Sequence, residues 1–204
     1  MKKHLKLFAM AFVAMSLAFA ACDPTEENGN GNGNGGNGEN GGNAGSATIT
    51  YVDHESSPIV VNPFDEKELD IFGQHEFMFE NYGSEEEAML AILTPGAGLV
   101  TVADDYHDNL VPMQQDAVIG NSCHWTICTG EALFSTIYEN STYGVYTEWN
   151  NKTAYVGFCA KQNGETHYGW IKMKVTVSNN SPVFTIYGYA YETTPNQSIK
   201  AGQK

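Results

Sequence analysis

The amino-acid sequence predicts an all-β fold, an antiparallel β-sandwich of the jelly-roll-like kind. Short runs rich in β-branched and aromatic residues recur after residue 46, and clusters of Gly, Asn, Ser and Pro separate them. Asn163-Gly164 stands between two such runs, and this pair readily supplies the positive φ angles of a tight hairpin turn. Only one segment has a helix-like start, the capping-box pair Ser84 and Glu87, and Pro95-Gly96 interrupts it soon afterwards.

The predicted strands follow one another at close spacing. Side chains alternate in residues 75–80, as is typical of a half-buried strand, and both faces of residues 183–192 carry bulk. We expect residues 89–94 to pair with residues 99–102 as a hairpin across a turn at residues 95–98. Strands are predicted over residues 47–53, 58–62, 75–80, 89–94, 99–102, 118–120, 124–128, 133–138, 143–149, 155–161, 167–177 and 183–192.

The C-terminal part of the chain carries a family resemblance. The pattern consists of Gly157-Phe158, His167-Tyr168-Gly169-Trp170-Ile171, Tyr189-Ala190-Tyr191-Glu192 and Ile199-Lys200-Ala201-Gly202. It resembles a domain of unknown function in exported bacterial proteins, namely Bacteroidota-type lipoproteins and PEP-CTERM-type proteins. A weaker match covers residues 65–72, where this chain lacks the Gly of the family's Asp-Gly-x-x-Asp-Phe pattern. The resemblance implies an all-β domain and supplies no catalytic residues.

Residues 1–21 predict a signal peptide. Three lysines precede an apolar run, residues 7–21, that is too short for a comfortable membrane span. Cys22 completes a lipobox with Phe19-Ala20-Ala21 and is the predicted lipid-attachment site. Acyl chains on Cys22 would anchor the mature chain to a membrane. The alternative is simple cleavage that leaves a free cysteine.

Residues 22–46 predict a disordered tether between the lipid anchor and a single folded domain, residues 47–204. The acidic run 23–27 resembles the export signal of Bacteroidota-type lipoproteins, which directs them to the outer face of the outer membrane. Residues 28–46 are almost wholly Gly and Asn, so they lack the apolar side chains that a folded core needs. We therefore expect a domain displayed on the cell surface, with retention in the periplasm as the alternative.

The chain is strongly acidic, which limits its partners. Its 24 Asp and Glu residues against 10 Lys and Arg residues give a formal net charge of −14. A nucleic-acid-binding protein needs a basic surface, so we expect no nucleic-acid partner. An anionic membrane would not attract the domain either, and the predicted membrane contact is therefore through the lipid anchor alone.

Three cysteines lie in the predicted domain: Cys123, Cys128 and Cys159. An odd number in an exported protein predicts one disulfide and one free thiol. Cys123 and Cys128 would point to opposite faces of one strand, so we expect Cys159 to pair with one of them. A zinc site that adds His124 and His167 is the less favoured alternative, because the spacing lacks Cys-x-x-Cys pairs.

Two acidic clusters are candidate metal sites. The first contains Asp65 and Asp70, and the second contains Asp104, Asp105 and Asp108. Calcium takes six to eight oxygen ligands and is the candidate ion, although we expect no obligatory cofactor. The alternative is that both clusters are solvated loops, because the EF-hand spacing is missing.

The second acidic cluster also contains His107, which supports an enzyme interpretation. His107 with Asp104 and Asp105 could serve a metal- or carboxylate-dependent hydrolase as ligand or general base. The sequence contains no Gly-x-Ser-x-Gly elbow, His-Glu-x-x-His pair or phosphate-binding Gly loop. The enzyme interpretation therefore depends on this cluster.

Tyr143, Tyr146 and Trp149 form the candidate ligand-binding surface. Exposed aromatic side chains on a β-sandwich can stack on sugar rings, whereas the alternative is that they fill the core. With the lipobox, the tether and the missing catalytic motifs, this run predicts a non-catalytic surface module that binds an extracellular glycan or protein. The alternatives are the hydrolase and a structural protein of the cell envelope.

Overall fold

The computed structural model describes residues 49–82, 87–103, 108–140, 145–179 and 181–204. These residues form fifteen strands and no helix, which confirms the all-β prediction. The predicted signal peptide, Cys22 and the tether lie outside the described residues. The strands are β1 (Ile49–Asp53), β2 (Ile59–Val61), β3 (Glu66–Leu69), β4 (Phe77–Asn81), β5 (Glu87–Ile92), β6 (Gly98–Ala103), β7 (Asp108–Leu110), β8 (Val118–Ile119), β9 (Trp125–Ile127), β10 (Leu133–Asn140), β11 (Val145–Tyr146), β12 (Thr153–Gln162), β13 (Glu165–Ser178), β14 (Ser181–Glu192) and β15 (Ile199–Lys200).

Thirteen strands form one large mixed sheet that curls into two layers. Its order is β1-β14-β13-β12-β6-β7-β10-β5-β4-β3, with β2 beside β14, β9 beside β6 and β11 beside β10. Neighbouring strands in the described sheet run antiparallel except β7 and β10, which are parallel. β8 and β15 form a second sheet of two strands.

Strand β6 joins the two layers. Gly98 and Leu99 at its start pair with β12, whereas residues 101–103 pair with β7. The first layer therefore contains β1, β2, β9, β12, β13 and β14, and the second layer contains β3, β4, β5, β7, β10 and β11. Because one strand takes part in both layers, the hydrogen-bonded sheet is continuous from β1 to β3.

The main core lies between the two layers. Phe77 of β4 contacts Phe158 of β12 with ring centroids 5.5 Å apart, and Phe79 of β4 contacts Phe184 of β14 at 6.3 Å. All four side chains are fully buried. Burial of apolar surface from both layers holds them face to face, which is the sandwich arrangement that the sequence predicts.

A small core covers the other face of the first layer. Trp170 of β13 and Ala190 of β14 point to this face, because successive side chains of a strand alternate between its two faces. Ile119 of β8 and Ile199 of β15 pack on Trp170 and Ala190, so the two-stranded sheet covers this face of the first layer. The Trp170 Nε1–H donates a hydrogen bond to the backbone oxygen of Gln203 at 3.0 Å and so holds the C-terminal residues against this face.

The predicted hairpin between β12 and β13 is confirmed. Asn163 and Gly164 form its two-residue turn, with φ angles of 54° and 84°. Positive φ at both central residues is typical of a type I′ turn, whose twist matches that of the flanking strands. Asn and Gly adopt these angles at low cost, so the sequence specifies the turn.

The turn also sets the register of the two strands. Lys161 lies opposite Thr166, and Cys159 lies opposite Tyr168. Because side chains on a strand alternate with a period of two, all four project from the same face of the sheet. This face carries the small core.

A β-bulge explains why both faces of β14 carry bulky residues. The pairing of β13 with β14 shifts between Lys172 and Met173, which leaves Tyr187 as the extra residue. Ile186 faces the main core before the bulge, and Tyr189 faces it afterwards. The inserted residue therefore shifts by one position which side chains of the strand face the main core.

The predicted hairpin of residues 89–94 with residues 99–102 is wrong. Both segments are strands, but β5 pairs with β4 and β10, whereas β6 pairs with β7, β9 and β12. The turn between them bonds to the end of β9 instead. Gly96 N–H donates to the Cys128 oxygen at 2.8 Å, and Cys128 N–H donates to the Ala97 oxygen at 2.9 Å. The connection thus carries the chain from the second layer to the first.

The helix-like pair Ser84 and Glu87 does not start a helix in the described residues. Ser84 lies outside them, and strand β5 begins at Glu87. Ala88, Leu90 and Ile92 all enter the main core, so their period-two burial overrides the helix propensity of the segment. The described part of the chain contains no helix with the length and hydrophobicity needed to span a membrane.

Candidate binding pocket

The two described residues of the predicted aromatic surface, Tyr146 and Trp149, do not form an exposed platform. Trp149 is 0% exposed, and its Nε1–H donates a hydrogen bond to the Leu110 oxygen at 2.7 Å. The half-buried Tyr146 donates its hydroxyl proton to the same oxygen at 2.7 Å. Tyr143 lies outside the described residues. The binding role predicted for Trp149 is therefore wrong, because the indole is packed in the core and its one donor is satisfied there.

The first acidic cluster uses its carboxylates to hold local turns. Asp65 accepts hydrogen bonds from the backbone and side-chain amides of Asn62, both at 3.2 Å. Asp70 accepts one from the Gln74 N–H at 3.0 Å. Burial works against ionisation of Asp70, but hydrogen bonds from backbone N–H groups of residues 73–75 outweigh it and lower its pKa. These contacts stabilise the local turns, and a calcium site at this cluster stays a prediction.

The second acidic cluster lies mostly outside the described residues. Asp108 begins β7, whereas Asp104, Asp105 and His107 are not described. Within the described ranges, no three His, Cys, Asp or Glu side chains are close enough to hold a metal ion. The calcium site and the hydrolase therefore stay predictions for this loop.

The predicted disulfide of Cys159 is wrong. Cys128 and Cys159 are both free, buried thiols. Cys128 belongs to the main core and Cys159 to the small core, so the first layer of the sheet separates their sulfurs. The Cys128 S–H donates to the Glu131 oxygen at 3.3 Å.

A pocket of about 220 Å³ opens at the edge of the small core. Its most prominent feature is the pair Trp125 and Tyr168, whose rings stack with centroids 5.6 Å apart and planes 22° apart. Trp125 is half-buried, and Tyr168 beneath it is buried. The residues that line the pocket are Gly96, Asn121, Trp125, Ile127, Cys159, Lys161, Thr166 and Tyr168.

Two pieces of the sheet build this pocket. The β12–β13 hairpin contributes the two cross-strand pairs described above, with Cys159 and Tyr168 inside and Lys161 and Thr166 toward the solvent. Strand β9 adds Trp125, whose backbone pairs with Val100 of β6. The Trp125 Nε1–H donates a hydrogen bond to the Gly120 oxygen at 3.1 Å, which fixes the orientation of the indole.

Cys159 forms an apolar wall of the pocket. Burial raises the pKa of its thiol to about 12, although the charge of Lys161 opposes this shift. A thiol with that pKa is protonated at neutral pH, and the thiolate is the nucleophilic form of cysteine. Cys159 therefore provides surface for packing and is unsuited to nucleophilic catalysis.

Cys159 is expected to resist alkylation in the folded protein. Because burial raises the pKa of the thiol from its ordinary value of 9.0 to about 12, the thiolate fraction at pH 8 is about a thousandfold lower than for an unperturbed cysteine. Iodoacetamide labelling followed by peptide mapping measures this rate. The same reaction in guanidinium chloride is the control and should be fast. Equal rates in the two conditions would show that the thiol is exposed.

Lys161 stands at the mouth of the pocket with its stem held in place. If Gly96 carried a Cβ, that atom would lie 2.8 Å from the Lys161 Cδ and 3.1 Å from its Cε. The bare backbone of Gly96 thus lets the lysine stem pack closely. Among the described residues, Lys161 makes no ion pair, unlike Lys152 and Lys172, which pair with Glu148 and Glu55.

No family model, curated protein or solved structure matches this chain. The resemblance of the C-terminal pattern to exported lipoprotein domains therefore stays an interpretation of the sequence. In the structure, residues of that pattern take part in packing the first layer. Gly169 lies under Phe158, and Trp170 contacts the C-terminal residues. Tyr168 of the same pattern lines the pocket.

Proposed function

We propose that this chain is a lipid-anchored surface lipoprotein whose β-sandwich is a non-catalytic module that binds an extracellular glycan. An extracellular protein is the alternative ligand. The observation that carries the proposal is the pocket with its stacked pair Trp125 and Tyr168. Aromatic rings beside polar groups suit sugar rings, which have one apolar face and an edge of hydroxyls.

The display of this module is supported by the N-terminal sequence. The lipobox at Cys22 supplies an anchor, and the Gly/Asn-rich run of residues 28–46 supplies a flexible spacer. The r.m.s. end-to-end distance of a flexible chain is about 5–6 Å times the square root of its number of residues. For these nineteen residues it is roughly 25 Å. That distance separates a folded domain from the lipid surface and leaves its pocket accessible.

Cells that produce the wild-type chain are expected to bind at least one glycan class on a glycan array. Replacing Trp125 by alanine should lower that binding at least tenfold, because it removes the aromatic wall of the pocket. Phe64→Ala is the matched control, since Phe64 is an aromatic residue that is 77% exposed and lies outside the pocket. Its binding should equal that of the wild type.

Three outcomes would contradict this proposal. Unchanged binding by Trp125→Ala cells would show that the pocket is not the site. Resistance of the domain to added protease on intact cells would overturn surface display. Mass spectrometry of the mature chain tests the anchor: a Cys22 that carries no acyl chains would overturn it.

A further inference from the structure

We infer that the pocket is specific for an acidic sugar, a pyranose ring that carries a carboxylate, and that Lys161 binds this carboxylate. The inference rests on the proposed function and names the ligand class of the same pocket. It depends on three properties of the pocket: its size, the groups along its wall and the single charge at its mouth.

The size of the pocket limits the ligand to about one ring. Its volume of about 220 Å³ lies below the range of roughly 300–1,000 Å³ that is usual for drug-sized ligands. A single sugar unit at the end of a glycan chain fits such a volume, with the rest of the chain in solvent. An extended peptide would need a longer groove with pockets for alternate side chains.

The neutral groups of the wall match the two sides of a sugar ring. Trp125, Tyr168 and the protonated thiol of Cys159 offer apolar surface, and Asn121 and Thr166 offer donors and acceptors to hydroxyl groups. The Tyr168 hydroxyl adds a further donor. Its pKa is raised, mainly by burial and to a smaller extent by the nearby Cys159. The phenol is therefore protonated at neutral pH.

The charge at the mouth of the pocket selects an anion. No Asp or Glu is among the described residues that line the pocket, although the chain has 24 of them. Among the described residues, Lys161 is the one cation that lines the pocket, and it has no ion-pair partner there. An ammonium group that is free of carboxylates and held by its stem is available for a carboxylate of the ligand.

Methyl glucuronide and methyl glucoside test this inference, because they differ only in having a carboxylate or a hydroxymethyl group on the ring. The full mature chain, purified in detergent micelles, would be titrated with each sugar and with the corresponding galacturonide and galactoside by calorimetry. We expect one uronide to bind at least tenfold more tightly than its neutral partner, as one charge-assisted contact allows.

Lys161→Gln should abolish this preference by weakening uronide binding about tenfold. Lys152→Gln is the matched control, since Lys152 is another exposed lysine that lies outside the pocket and pairs with Glu148. It should retain the preference. Both substitutions are at exposed positions, and equal melting temperatures would show that both variants are folded.

The outcomes separate this inference from the proposed function. Equal affinity for the acidic and neutral sugars, or a preference that survives in Lys161→Gln, would overturn the inference while the glycan-binding module stands. Binding of a short peptide with a free C-terminal carboxylate, but of no sugar, would also overturn it. If wild-type cells bind no glycan on the array, the proposed glycan-binding function itself fails.

Discussion

Replacing Gly169 by alanine is expected to lower the free energy of unfolding by about 3 kcal/mol. A Cβ at this position would lie 2.2 Å from the Phe158 Cζ and 2.5 Å from the Ala190 backbone oxygen. Phe158 is fully buried in the main core, and the Ala190 oxygen belongs to the neighbouring strand, so neither can move freely. The added methyl group therefore forces the sheet or the ring out of place.

Thermal and chemical unfolding measure the effect of Gly169→Ala. For a domain of this size, about 3 kcal/mol corresponds to a melting temperature lower by roughly 6–12 °C. Gly130→Ala is the matched control, because a Cβ at Gly130 would meet nothing within 4 Å, and it should change stability by less than about 0.5 kcal/mol. A Gly169→Ala variant as stable as the wild type would mean that Phe158 does not pack over Gly169.

Trp149→Ala is expected to cost about 3–5 kcal/mol of stability, the usual range for removal of a buried large aromatic side chain. The indole is 0% exposed and belongs to the main core, so its loss leaves a cavity between the two layers. It also removes the hydrogen bond that the indole N–H donates to the Leu110 oxygen, whereas the bond from the Tyr146 hydroxyl would remain.

A denaturant titration distinguishes this role of Trp149 from the surface role that the sequence predicts. A core residue lowers the unfolding midpoint strongly when truncated, whereas an exposed stacking platform leaves it unchanged. Phe64→Ala, at a residue that is 77% exposed, provides the comparison and should shift the midpoint little. An unchanged midpoint in Trp149→Ala would contradict the buried position of the indole.

Half of the pocket can be derived from the sequence. The Asn163-Gly164 pair predicts a two-residue hairpin, and a two-residue hairpin fixes which residues face each other. Counting back from the turn places Lys161 opposite Thr166 and Cys159 opposite Tyr168, as the structure has them. Local turn chemistry is therefore sufficient to place a lysine, a thiol and a tyrosine on one face.

The other half of the pocket depends on pairings that no local signal encodes. The sequence correctly assigns residues 124–128 to a strand region, but it does not reveal that Trp125 pairs with Val100 and so comes to lie over Tyr168. The same limit explains the wrong hairpin prediction for residues 89–94. Period-two patterns identify strands and their faces, whereas partner choice between distant strands is decided by packing of the whole sheet.

The choice between core and surface for an aromatic residue is equally hard to read from one sequence. Trp149 and Trp125 both stand in short aromatic-containing segments, yet the first is buried and the second is half exposed. Each indole N–H finds a backbone oxygen, so polar satisfaction does not distinguish them. The difference in burial arises from position in the fold. Trp125 lies on β9, at the edge of the first layer, whereas Trp149 lies beside β7 and bonds to its Leu110.

If the chain is anchored and binds a ligand as proposed, the place of β1 in the sheet determines how a mechanical load passes from that ligand to the membrane. Ile49, the first described residue after the tether, pairs with Glu192, and the adjacent Tyr191 pairs with Gly169, next to Tyr168 of the pocket. At about 4.8 Å per strand spacing, only about 10 Å of sheet separates the tether from the pocket strand. A pull on the tether would peel the five-residue β1 from β14 one pair at a time, beginning at Ile49. This would lengthen the tether by about 17 Å. The strands that carry the pocket would stay paired, so β1 would be an extensible link between the proposed anchor and the pocket.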